Sequence, residues 1–227
     1  MSKNKFFITI FLAILLSTES YAATSGSYLG IDGIFSKTTF RQEYKNSLGN
    51  IEQDSDSFKG SDLGFGLNYK YAINFDGLYL APGIFIEKNN LKTKKSGIVL
   101  ASGEDDSRSL EINYRSGIRV DIGYDITDYF AIYALAGYSQ INYKTKDDYY
   151  TSGNSTISQS NSGFAGGGFY GAGLKFDIND DFSINSEVNF QDFTAQTARN
   201  VRGDILGRNS VFKAHLVITK VGIAYRF

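Results

Sequence analysis

Val221-Gly222-Ile223-Ala224-Tyr225-Arg226-Phe227 ends the chain with an apolar residue at every second position and an aromatic last. Period-two alternation marks a strand with one apolar face, because successive side chains point to opposite sides of a pleated backbone. A soluble strand would run on into a polar tail. A strand that stops on an aromatic fits the closing stave of a barrel whose outer face is solvated by hydrocarbon. The rest of the sequence can be searched for further staves of the same kind.

The front of the chain supports an exported protein. Lys3 and Lys5 precede an apolar run from Phe6 to Leu16, and Ser20-Tyr21-Ala22 places small residues around a cleavage point. This reads as a secretory signal peptide over residues 1–22, since the run falls short of the roughly 20 apolar residues a spanning helix needs. Cleavage is expected after Ala22, which leaves residues 23–227 as one barrel domain. The sequence has no Cys, so no lipidated Cys, disulfide framework or thiolate site is expected. A formal net charge of −1 gives no reason to expect a nucleic-acid partner. One Pro, 24 Gly, 18 Phe and 16 Tyr suit an all-β chain, because aromatics fit pleated surfaces and Pro removes ladder donors.

Four segments alternate clearly. Residues 62–73 set Leu63, Phe65, Leu67, Tyr69, Tyr71 and Ile73 against Gly64, Gly66, Asn68, Lys70 and Ala72. Residues 110–124 set Leu110, Ile112, Tyr114, Ile118, Val120 and Ile122 against Glu111, Arg115, Arg119 and Asp121. Residues 168–178 and 182–191 follow the same rule, with Lys175 and Glu187 on the polar side. Four weaker segments are 27–39, 78–88, 129–143 and 212–227. In these, Pro82 suggests a bulge, the faces of 129–143 stay unassigned, and Leu216 and Ile218 break the parity of the last residues.

The connections alternate in length. Asn74–Gly77, Ile126–Tyr129 and Asn179–Asp181 are tight, whereas about 41–60, 89–108, 144–163 and 194–211 read as long polar loops. Short turns at one end and long loops at the other are characteristic of transmembrane barrels, with both termini at the short-turn end. Closure has a physical cause, because in lipid every backbone N–H and C=O must find a partner and a closed sheet leaves no edge. The expected fold is an all-β, eight-stranded, antiparallel up-and-down transmembrane β-barrel. Aromatics beside the short turns (Tyr71, Phe75, Tyr124, Tyr129, Phe176, Phe182, Tyr225 and Phe227) would form a lower interfacial girdle.

The chain resembles the small bacterial outer-membrane β-barrel family of opacity, surface-antigen and porin-like proteins. The resemblance is carried by the signal peptide, Leu63-Gly64-Phe65-Gly66, Gly171-Ala172-Gly173, Tyr79-Leu80-Ala81-Pro82-Gly83 and the final Gly222-Ile223-Ala224-Tyr225-Arg226-Phe227. It implies a location in the bacterial outer membrane among lipids and lipopolysaccharide. It also implies that Val221, Ile223, Tyr225 and Phe227 act as a C-terminal assembly signal. Periplasmic chaperones and the outer-membrane assembly machinery would then be transient partners.

The inward parity carries equal numbers of opposite charges. Lys70, Arg115, Arg119, Lys175, Lys220 and Arg226 stand against Asp32, Glu87, Glu111, Asp121, Asp177 and Glu187. A selective pore would favour a ring of one sign, whereas a balanced set in a narrow interior should pair. Glu87 with Arg115, and Glu187 with Lys220, fall at similar heights when counted from the turns. A plugged lumen with little or no conductance is expected, since a barrel of this size holds only side chains or a small ligand.

Little else suggests chemistry. His215 is the only His and lies near the outer rim on the lipid-facing parity, a poor position for a nucleophile–base pair. Glu104-Asp105-Asp106 lacks the spacing of an EF-hand loop, so no metal and no cofactor are expected. Lys92, Lys94 and Lys95 in the second long loop and Tyr149 and Tyr150 in the third are the candidate contact residues. The expected function is a non-enzymatic surface protein with envelope-structural and contact roles, of the adhesin or antigen kind, for which host surface proteins would be the partners. The alternative is a narrow porin-like channel.

Overall fold

The computed structural model describes residues 25–45, 51–99, 105–150, 156–197 and 209–227, so the expected signal peptide lies outside the described residues. Eight strands follow one another: β1 Gly26–Lys45, β2 Ile51–Phe75, β3 Leu78–Val99, β4 Asp105–Thr127, β5 Phe130–Tyr150, β6 Thr156–Asp177, β7 Phe182–Thr197 and β8 Asn209–Arg226. Each pairs antiparallel with the next, and β8 closes on β1 from Tyr28↔Arg226 to Lys45↔Asn209. The architecture is the closed eight-stranded antiparallel barrel expected from the alternation.

The short turns have local causes. Asp76 at φ 53° and Gly77 at φ 89° join β2 to β3 in two residues. Positive φ at both central positions is the hairpin geometry that matches strand twist, and Asp-Gly is a preferred pair for it. Asn74 adds a side-chain bond from the Gly77 N–H at 3.1 Å. Between β6 and β7, Asn179 Oδ1 accepts the N–H groups of Asp181 and Phe182, both at 2.9 Å.

The strands run far beyond the expected segments. Most of the four stretches read as long loops is paired backbone: β5 and β6 stay in uninterrupted register from Phe130↔Phe176 to Tyr150↔Thr156. The polar composition that suggests a loop is the composition of a strand standing in water, where the outer face has no need of apolar residues. At the far end from the turns the ladders regroup. Among the described residues, β2 and β3 pair no higher than Gly64↔Asn89, and β6 and β7 no higher than Phe169↔Gln191. The upper part is therefore two four-stranded ladders, β3 to β6 and β7–β8–β1–β2.

Four readings change on this structure. Pro82 makes no bulge: it pairs in register with Val120, and the register to β2 is the same on either side of it. The missing Pro N–H simply leaves two β2–β3 bridges unmade. Leu110 and Ile112 do not share a face with Tyr114 and Ile118. The β4–β5 register shifts between Ile112 and Tyr114, turning Leu110 and Ile112 inward and Glu111 outward. Leu216 and Ile218 keep the parity of β8, with both side chains inward and fully buried. In β5, Ala131, Tyr133, Leu135, Ser139, Ile141 and Tyr143 face inward, so apolar residues on both faces are what hid the assignment.

The outward face of the lower barrel is an apolar belt of exposed Leu, Ile, Val and aromatic side chains, among them Ile31, Leu63, Phe65, Ile84, Ile118 and Ile223. At its lower edge Phe182 lies 5.2 Å from Tyr225, and Tyr225 6.3 Å from Phe227, between ring centroids.

Candidate functional site

The lower barrel holds polar residues inside, with buried ones on the inward faces of all eight strands. Arg115 of β4 lies opposite Glu87 of β3, and its Nη1 donates to Glu87 Oε2 at 2.9 Å and Oε1 at 3.1 Å. Lys220 of β8 bridges Glu87 at 2.5 Å and Glu187 of β7 at 2.9 Å. Glu187 takes a two-pronged contact from Arg119, Nη1 at 3.1 Å and Nη2 at 2.8 Å. Arg119 Nε reaches Asp121 at 2.7 Å, and Lys70 of β2 reaches the other oxygen of Asp121 at 3.1 Å. The result is one continuous ladder, Arg115–Glu87–Lys220–Glu187–Arg119–Asp121–Lys70, with the sign alternating at each step. Asp32, held by Asn68 at 2.8 Å, faces Lys220 electrostatically and evens the charge.

Neutral residues complete the packing. Arg115 sits between the rings of Phe85 and Phe169, 4.6 Å from each centroid, a desolvated cation–π clamp. Its Nε also donates to Gln191 at 2.7 Å and to Ser139 at 3.1 Å. Tyr133 and Asn189 donate to Glu187, both at 3.2 Å. Of these partners, Gln191 lies on the inward parity of its segment, whereas Ser139 and Tyr133 lie in the stretch whose faces the alternation leaves unassigned. Phe85 and Phe169 carry no sequence signal, since an inward aromatic reads like an outward one.

Buried apolar clusters pack against the ladder. Above it Phe40, Leu91, Leu110, Ile112, Ile141, Tyr143, Phe193, Leu216 and Ile218 pack as one buried apolar cluster. Tyr28, Tyr79, Phe85, Tyr133 and Phe169 belong to a second, which runs alongside the ladder and below it. The space between Tyr28, Lys70, Tyr79, Lys175 and Ser183 measures ≈ 20 Å³, about the room one water needs.

Three inward-charge expectations divide. Lys175 lies at the lower end and pairs with Asp177 at 2.9 Å, apart from the ladder. Glu111 is corrected: the register shift puts it on the outside of the upper barrel, 3.3 Å from Lys92. Arg226 is half-buried at the lower rim, where its backbone N–H donates to Asp181 O at 2.7 Å. Val221, Ile223, Tyr225 and Phe227 all face outward. Lys92, Lys94 and Lys95 belong to β3 and Tyr149 and Tyr150 to β5, so they stand on strands rather than in loops. The side chains of 94, 95, 149 and 150 lie outside the described residues.

His215 has a partner the sequence did not reveal. Asp192 is directly opposite on β7, with Oδ1 2.5 Å from His215 Nδ1, both on the outer surface. The two are 23 residues apart, and only the β7–β8 register brings them together. Among the described residues no three His, Cys, Asp or Glu side chains converge as a metal site.

The profile of the outer membrane protein beta-barrel domain family matches residues 8–227. No curated protein matches the chain. Among solved structures, the outer membrane protease OmpT from Escherichia coli is 10% identical, with TM-score 0.51, covering 93% of this chain and 99% of that one. The outer membrane protein OprG from Pseudomonas aeruginosa is 17% identical, with TM-score 0.47, covering 92% and 99%. Ail, the attachment invasion locus protein of Yersinia pestis, is 17% identical, with TM-score 0.40, covering 90% and 100%. At these identities the likeness is one of fold.

Proposed function

The chain belongs to the outer membrane protein beta-barrel domain family, and from that premise we propose that it is a sealed, non-enzymatic barrel acting through its outer surface. Its location is the bacterial outer membrane, where lipid and lipopolysaccharide surround it. The observation that carries the reading is the ion ladder. A charge that leaves its partners in a dry interior meets a cost of several kcal/mol, so the ladder resists the opening a water-filled pore would need. The apolar cluster above it adds a second barrier, since a pore lined by packed Leu and Ile excludes ions.

The chemistry of an enzyme is not assembled in this reading. The Asp192–His215 pair lies exposed on the outer surface, away from the buried ladder. The contact surface proposed instead is the upper barrel, where β3 and β5 carry Lys92, Lys94, Lys95, Tyr149 and Tyr150 towards the strand connections. The ion ladder and the apolar cluster above it support this reading over the porin-like alternative that the fold otherwise permits.

Protein purified from outer membranes, with Ala23 as its expected N-terminus, should give no steady single-channel steps in a planar bilayer. Stable, ohmic steps that scale with protein added would overturn the sealed-lumen reading. Contact is tested separately. Cells displaying the barrel are expected to bind host cells or matrix protein, and to lose most of that binding in the K92Q/K94Q/K95Q/Y149S/Y150S variant. Unchanged binding in that variant ends the contact reading.

A further inference from the structure

The two upper ladders part at two seams, and the strand edges they leave there are not alike. An edge strand presents unpaired N–H and C=O groups, which proteins commonly guard with charges, Pro or bulges. Above Gly64, β2 carries Glu52, Asp54, Asp56, Lys59 and Asp62; above Asn89, β3 carries Lys92, Lys94 and Lys95. Beyond its last pair with β6, β7 runs only from Asp192 to Thr197. The edge of β6 is long and unguarded. From Thr156 to Gly168 it has no charged residue and no Pro, and its register to β5 has no bulge.

The ladder itself tells which groups face the seam. Asp177 N–H donates to Tyr129 O on the β5 side, and the β5–β6 register then continues without a shift. Successive residues of an antiparallel strand turn their N–H and C=O to opposite neighbours. Odd-numbered residues of β6 therefore bond to β5, whereas Gly166, Phe164, Ser162, Ser160, Ser158 and Thr156 turn theirs to the seam. Among the described residues β7 pairs with none of these six. A side-chain anchor lies on the same edge. Phe164 points outward and is 70% exposed. It stands above the apolar belt, since its β5 neighbour is Asn142 and the outward β5 residues from Gln140 upward are polar. Ser162 above it and Gly166 below it are too small to cover the ring.

We infer that the seam edge of β6, from Thr156 to Gly166, is a docking strand for an extended, uncharged segment of a partner protein, which adds beside it where β7 does not. Main-chain hydrogen bonds supply the affinity, because a second strand offers donors and acceptors at the spacing of this edge. Phe164 favours an apolar side chain in the neighbouring position of the added strand. The absence of charge on β6 suits a neutral segment. The inference goes beyond the lysine and tyrosine contact reading and does not depend on it, since those residues belong to β3 and β5.

The test uses the folded full-length mature barrel in detergent micelles, with heat-modifiable electrophoretic mobility as the folding control. Amide hydrogen exchange reads the edge directly. Ser160, Ser162 and Phe164 are expected to exchange fast and Asn161, Gly163 and Ala165 slowly, the alternation of a strand paired on one side. The probe is the blocked peptide Ac-Thr-Gln-Val-Thr-Phe-Thr-Val-Gln-Thr-NH2, and its binding should slow exchange at Ser160, Ser162 and Phe164. Ser162→Pro removes an N–H aimed at the seam, a change an edge strand tolerates, and should abolish binding in a folded barrel. Phe164→Ser should weaken binding about tenfold, a usual loss for one aromatic anchor. Peptides N-methylated at alternate residues should bind in one methylation register and not in the other, a comparison that needs no variant of the barrel. Slow exchange at Ser160, Ser162 and Phe164 without peptide overturns the assignment. So do a failure of the peptide to protect them, undiminished binding to folded Ser162→Pro, and equal binding of both methylation registers. Self-association of the barrel through β6 with no uptake of peptide also overturns it, and makes a second copy the occupant.

Discussion

Replacing Glu187 by Ala is expected to lower the unfolding free energy of the barrel by about 3–5 kcal/mol, the range for removing one partner of a buried ion pair. Glu187 is where the ladder is most connected. Its carboxylate accepts from Lys220, both terminal nitrogens of Arg119, Tyr133 and Asn189, all within 3.2 Å. Without it Lys220 keeps Glu87 and Arg119 keeps Asp121, but one buried positive charge goes uncompensated. Reversible urea unfolding in lipid vesicles, followed by tyrosine fluorescence and gel mobility, reads the effect. Two comparisons make it specific. Lys70→Met, at the half-buried end of the ladder, should cost about 1 kcal/mol, nearer the value of an exposed pair. Glu187→Gln keeps the shape and loses the charge, so a loss close to that of Ala shows that charge is what matters. If Glu187→Ala unfolds with the wild-type midpoint, the lumen is wet enough to solvate its charges and the sealed reading fails with it.

How much of this was legible follows from where each strand stands. In the lower barrel the two faces meet different media, so Leu63, Phe65 and Leu67 alternate with Gly64, Gly66 and Asn68 without exception. There the sequence is enough to order the staves, the Asp76-Gly77 turn and the Glu87–Arg115 and Glu187–Lys220 neighbours. Three things escaped it. Strand pairing above the belt leaves no apolar alternation on the outside, so 144–150 and 156–163 read as loop. A one-residue register shift between Ile112 and Tyr114 exchanges the faces of Leu110, Glu111 and Ile112, and nothing in Glu111-Ile112-Asn113-Tyr114 announces the shift. Asp192 and His215 are neighbours only through pairing, which a single strand cannot show.

The same argument explains Leu216 and Ile218, and makes the second large prediction. In the lower barrel hydrocarbon already solvates apolar side chains, so Leu and Ile can stand outward while the lumen holds the charged residues beside aromatic and small ones such as Phe85, Tyr133 and Ala131. Above the belt the outside is water, and the ordinary hydrophobic effect returns. Along β8 the rule therefore reverses within a few residues: Lys220 inward with Val221 outward below, Leu216 inward with His215 outward above. Leu216 is 1% exposed within the upper apolar cluster. Leu216→Lys puts an ammonium into that cluster with no carboxylate built to receive it, and is expected to cost at least about 3–5 kcal/mol. His215→Lys, one residue away on the other face, puts a lysine opposite Asp192 on the exposed surface and should change stability by less than about 0.5 kcal/mol, as surface substitutions usually do. Limited proteolysis of intact cells adds a local readout, because Leu216→Lys should loosen the two upper four-stranded ladders while the belt stays protected. Equal stability of the two variants would mean that the inside of the upper barrel is open to water, and that the change of medium along β8 does not set its side-chain order.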